Sequence, residues 1–135
     1  MPVLNWYDYA IVRVVPRPER EEFLNAGVIV SCPSMKFLDA RIDLEEKRLL
    51  AFDPSADLLL VRSHLNAIMR ICAGGDDAGP IGKLSQRERF HWLVAPRSAV
   101  IQTSAAHSGR CADPAKALEH LVALVVRPVS RKHTD

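Results

Sequence analysis

Residues Tyr7–Val15 constrain this chain more than any other stretch. Read as a strand, the segment places Tyr7, Tyr9, Ile11, Arg13 and Val15 on one face and Asp8, Ala10, Val12 and Val14 on the other. Both faces are largely apolar, the pattern of a strand held inside a sheet rather than at its edge. Pro16 and Pro18 end it, because proline cannot donate to a strand ladder. Glu19–Leu24 is too charged for a strand and reads as one helical turn. Gly27 frees the backbone before Val28-Ile29-Val30, a second strand, and Pro33-Ser34 is a turn. In Phe37–Ile42, Leu38, Ala40 and Ile42 alternate with Asp39 and Arg41, which marks a half-buried third strand.

Helical signals follow. Asp53-Pro54 offers a cap followed by proline at the first helical position, where the missing N–H costs nothing. Leu58, Val61, Leu65, Ile68, Met69 and Cys72 then recur at three- and four-residue spacing as one apolar stripe, and Gly74-Gly75 ends the helix. Ser85-Gln86-Arg87-Glu88 is a capping box, so a short helix runs from there to about Leu93 and ends before Pro96. Ala99–Ala106 carries Val100, Ile101 and Thr103 without helix caps and reads as a fourth strand. Asp113-Pro114 repeats the cap-plus-proline device, and Leu118, Leu121, Val122 and Val125 make the last helix amphipathic as far as Pro128. Three strands, then helices and one late strand, predict a single α+β domain over Tyr7–Val126. The simplest packing is a mostly antiparallel sheet of about four strands with helices on one face. Residues 127–135 read as a short polar tail.

A chain of 135 residues suffices for one domain with a real core. The net charge of +2 is too small to imply nucleic acid by itself. Its distribution says more: residues 1–73 sum to −1 and residues 74–135 to +3. Cys32, Cys72 and Cys111 are odd in number and never form a CxxC pair, which argues against a disulfide framework or a zinc knuckle. No stretch has the form of a leader peptide, and the apolar runs are far too short to span a bilayer. The expectation is a cytoplasmic protein without a membrane partner.

The unusual chemistry lies in Gly79–Cys111. This stretch holds Lys83, Arg87, Arg89, Arg97 and Arg110 against one acid, Glu88, and includes His91 and His107. A core does not need so many cations; a surface that handles an anion does. Arg89 and Arg97 could grip a carboxylate or phosphate through bidentate contacts. His91 and His107 titrate near neutral pH and could serve as acid and base. On the late strand Ser98, Val100, Gln102 and Ser104 share a face, and Arg13 joins Gln102 and Ser104 if that strand lies beside the first. The candidate anion- or partner-binding residues are therefore Arg13, Arg89, His91, Arg97, Gln102 and His107. No catalytic set is complete. The glycines of 74–83 do not match a phosphate loop, since no strand precedes them and Asp76 and Asp77 would repel phosphate. No metal site and no cofactor is expected. Trp92 and Phe90 fall where the short helix needs core anchors, which makes nucleic acid the weaker reading.

Tyr7–Val30, YDYAIVRVVPRPEREEFLNAGVIV, together with AGPIGKLSQRERFHWLVAPRSAVIQTS and the following His107, resembles the bacterial family catalogued as domain of unknown function 3037. The resemblance extends over roughly Tyr7–Val126. It implies a small stand-alone protein and carries no catalytic residue set. Genes of that family often lie beside genes for HipA-like kinases, which implies a kinase as a possible partner. The chain is then expected to be a non-catalytic partner or regulatory module with an anion-binding basic surface. The alternative is a small enzyme or nucleic-acid-binding protein that acts on a phosphorylated substrate through Arg89, His91, Arg97 and His107.

Overall fold

The first strand does lie inside the sheet, and both of its sides are paired. In the computed structural model, which describes residues 3–97 and 99–129, β1 (Asn5–Val14) has β2 (Leu24–Cys32) antiparallel on one side. Two short strands, β4 (Ile101–Thr103) and β5 (His107–Cys111), share its other side, both antiparallel. β3 (Phe37–Ile42) closes the sheet beyond β2. The helices are α1 (Glu46–Phe52), α2 (Leu58–Ala73), α3 (Gln86–Val94) and α4 (Pro114–Val125), with single-turn 3-10 segments at Pro18–Arg20 and Pro33–Met35. The segment Asp76–Lys83 between α2 and α3 is also made of 3-10 turns. The fold is α+β, in one domain with an antiparallel sheet.

The sheet has five strands rather than four, and helices cover both faces rather than one. On one face Val12, Val14, Ile29 and Ala40 pack beneath α1, α2 and α3, through Leu49, Leu65, Phe90 and their neighbours. On the other, Val28 and Val30 meet Leu118, Leu121 and Val122 of α4, flanked by Tyr7, Tyr9 and Phe37. The apolar character of both faces of β1 demanded this second cover, since an apolar sheet face left in water forfeits about 25 cal/mol for each Å². α4 leaves part of its face open. It lies over β2 and β3, so Arg13, Gln102 and His107 on the β4–β5 side stay outside its footprint.

Local signals place most ends. Ser85 and Glu88 form the capping box of α3. Asp113 accepts from the Ala115 and Lys116 amides at the start of α4. The cap of α2, however, is Asp57, which accepts from Leu60 N, and not Asp53. Asp53 is buried in the turn before it, where its carboxylate accepts from the amide and hydroxyl of Ser55 at 3.0 and 2.8 Å. Those bonds, with help from Arg17, hold its carboxyl below the usual carboxylate range. Arg127, the first residue of the expected tail, pairs with Asp43 at 3.0 Å and Glu119 at 2.9 Å; residues 130–135 lie outside the described residues.

Candidate anion-binding site

β1 and β4 build the centre of the site. Their register sets Arg13 directly opposite Gln102, so both side chains project from the same face. On the other side of β1 a bulge falls between Val12 and Arg13, where β2 carries one extra residue, Ala26. Bulges re-aim the side chains beside them, and Arg13 is the residue beside this one. Its guanidinium carbon lies 4.1 Å from the centre of the Phe23 ring. Among the described residues its buried Nε has no acceptor, a state that costs free energy.

Arg97 reaches the same basin from the loop between α3 and β4. Its guanidinium lies over the Trp92 ring, 4.4 Å from the centroid, and one Nη donates to the Trp92 carbonyl. Arg13, Arg97, Gln102 and Phe23 line one open depression together with Glu21 and Pro18. Among the described residues, neither Arg13 nor Arg97 has a carboxylate within 4 Å. Gln102 donates one amide N–H to the Ala99 carbonyl at 2.9 Å and keeps the other. The basin therefore offers two guanidiniums and an amide against one acid, Glu21.

The other candidates sit elsewhere. Arg89 is bound to backbone: its Nη1 donates to the carbonyls of Ile71 and Cys72 at 2.8 and 2.7 Å, and its Nε to that of Leu84 at 3.2 Å. It satisfies the orphan carbonyls at the C-terminus of α2, where the helix dipole favours a cation. The neighbouring Cys72 thiol is pushed up to about 12, chiefly by burial, with Asp39 adding and Arg89 opposing. His91 is exposed on α3. His107 is on β5, stacked on Tyr9 with ring centres 5.3 Å apart, on the opposite face of the sheet from α3. Tyr9 and Arg13 are four residues apart on one strand, so His107 lies about 13 Å along the sheet from the basin. The two histidines do not meet, and neither joins the arginines. Ser104 is buried: its hydroxyl accepts from Ile11 N at 2.9 Å and donates to the Ala105 carbonyl. Ser98, expected on the same strand face, lies outside the described residues. Trp92 is 39% exposed, so it is a partial anchor and a platform for Arg97, whereas Phe90 is buried as expected.

Sequence reasoning missed Phe23 and the wall that α2 contributes. Phe23 is the lone aromatic in the charged run after Pro18, and that isolation was its only signal. On the α2 side of β4, a cleft of about 140 Å³ opens among His64, Ala67, Ile68, Trp92, Leu93 and Ile101; Arg97 and Gln102 line it as well as the basin. Among the described residues no three His, Cys, Asp or Glu side chains gather to hold a metal, and no helix is long and apolar enough to cross a membrane.

No curated protein and no solved structure matches the chain. One family model does, over residues 9–126, which takes in all of the sheet except the first residues of β1. That match spans Arg13, Phe23, Arg97 and Gln102 alike, and the chain belongs to the family described as Protein of unknown function (DUF3037).

Proposed function

We propose that this protein is a non-catalytic binding module whose Arg13, Arg97 and Gln102 receive an anionic group, and that a HipA-like kinase is the partner it binds or regulates. The observation that carries the first half is the pair of guanidiniums lining one basin with no carboxylate within 4 Å among the described residues. Stacking on Phe23 and Trp92 pre-organises both, so less side-chain entropy is lost when an anion arrives. The kinase half rests on the family's gene neighbourhood alone. Separation of His91 from His107 by the sheet favours binding over acid–base chemistry.

The test is co-expression with a HipA-like kinase from the same genome, followed by titration of the purified pair and of inorganic phosphate. A 1:1 complex that weakens at least tenfold in Arg13→Gln with Arg97→Gln is the expected result, with phosphate binding lost in the same variant. A complex indifferent to that double change removes the basin from the interface. Absence of any complex removes the kinase, and phosphate binding then judges the anion site alone.

A further inference from the structure

The apolar cleft beside the basin says what kind of anion fits. Its walls come from three elements: Ala67 and Ile68 of α2, Trp92 and Leu93 of α3, and Ile101 of β4. His64 and Thr103 at its margin are the polar exceptions. Its volume of about 140 Å³ is close to the roughly 150 Å³ of apolar cavities that accept a benzene ring. Arg97 and Gln102 stand at the junction, because both line the cleft on one side of β4 and the charged basin on the other. β4 is only three residues long and lies at the sheet edge.

We propose that the ligand is a small organic acid that carries one apolar group of about ring size. The apolar group fills the cleft against Trp92 and Ala67, and the carboxylate lies on Arg97, within reach of the Gln102 amide. Burial of the apolar group supplies affinity that a bare anion cannot gain on a solvent-exposed guanidinium, and the guanidinium selects acids over neutral apolar molecules. This rests on the reading of Arg13 and Arg97 as an anion site. It adds a ligand class to that reading, and such an acid would compete with an acidic partner surface for Arg97.

The cleft carries its own reporter. The chain has two tryptophans, and Trp6 lies on β1 beneath Arg110, away from the cleft. Trp6→Phe therefore leaves Trp92 as the sole emitter. In that background, phenylacetate, acetate, inorganic phosphate and benzyl alcohol are titrated against Trp92 fluorescence and by calorimetry. Phenylacetate is expected to bind at least tenfold more tightly than acetate or benzyl alcohol, and to lose that advantage in Arg97→Gln. Ala67→Phe, which fills the cleft from a half-buried helix position, should abolish the phenylacetate advantage and leave phosphate binding intact; Ala99 also lines the cleft, and Ala99→Leu is the second blocking variant should the first fail to fold. Equal binding of phenylacetate and acetate, with phosphate still bound, overturns the cleft inference and spares the anion site. Loss of all three anions overturns the anion site itself. Benzyl alcohol that binds as well as phenylacetate and ignores Arg97→Gln makes the cleft an apolar site without charge selection, which also overturns the proposal.

Discussion

Arg89, near the start of α3, and Arg97, three residues past its end, lie eight residues apart, yet they do opposite things. At the buried end, Arg89 spends three N–H groups on the carbonyls of Ile71, Cys72 and Leu84 and fastens α3 to the end of α2. Phe90 beside it is part of the core. At the open end, Arg97 has one backbone carbonyl and the face of Trp92, and that ring is itself 39% exposed. A cluster of cations in sequence is therefore not a cluster of available charge. What separates a structural arginine from an available one is whether a helix C-terminus or another set of carbonyls lies within its reach.

Five substitutions would break, sharpen or scale that contrast. The largest effect is expected at the buried end: Phe90→Ala should cost about 3–5 kcal/mol in urea unfolding, as buried aromatic truncations do. Trp92→Ala should cost clearly less, because its ring is only partly buried; equal costs would erase the difference between the two ends. Arg89→Ala should cost about 2–3 kcal/mol, since it strips charged hydrogen bonds from the carbonyls of Ile71, Cys72 and Leu84. The same change should expose Cys72. In the native chain that thiol is buried and pushed up to about 12, so it should resist alkylation at pH 8. Faster labelling of Cys72 in Arg89→Ala, read by mass spectrometry, would show that the arginine closes the end of α2. An unchanged rate would mean that packing alone closes it.

Asp113→Ala supplies an independent scale, with about 0.5–2 kcal/mol expected for loss of a helix cap away from α3. The smallest effect is expected for Arg97→Ala, within about 0.5 kcal/mol of the parent in stability, together with loss of phosphate binding. A large loss of stability there would make Arg97 a second structural arginine and would remove the site.

Asp53 shows how one sequence signal can mark the right turn and the wrong residue. Asp53-Pro54 does precede a helix, but a carboxylate already bonded to the Ser55 amide and hydroxyl cannot also cap the helix that starts after Asp57. α1 was invisible for a related reason. Glu46–Phe52 is a seven-residue helix with no side-chain cap, anchored by a single fully buried residue, Leu49. Among the site residues, Arg13 and Gln102 could be paired by supposing that the first and last strands are neighbours. Arg97 was visible as a surplus cation. Arg89 looked the same as Arg97, because nothing within the stretch 79–111 reveals that the carbonyls of residues 71 and 72 will be 2.8 and 2.7 Å away. β5 was illegible too. His107–Cys111 has no β-branched residue and no alternation, and its pairing is permitted by Gly109, where a Cβ would stand 2.7 Å from the Tyr7 hydroxyl.

By itself, the sequence determined the parts whose physics is local. The interior character of β1 follows from apolar residues on both faces, the span of β3 from strict alternation, and the starts of α3 and α4 from side chains that satisfy their own helix's amides. The α+β class followed from the order of those elements. Only the tertiary structure decided which face each helix covers, that β4 and β5 share one edge of β1, and which of two similar arginines is tied to the end of α2. Those outcomes depend on contacts between residues far apart in the chain, and a guanidinium's local sequence does not encode the carbonyls or rings that folding will bring to it.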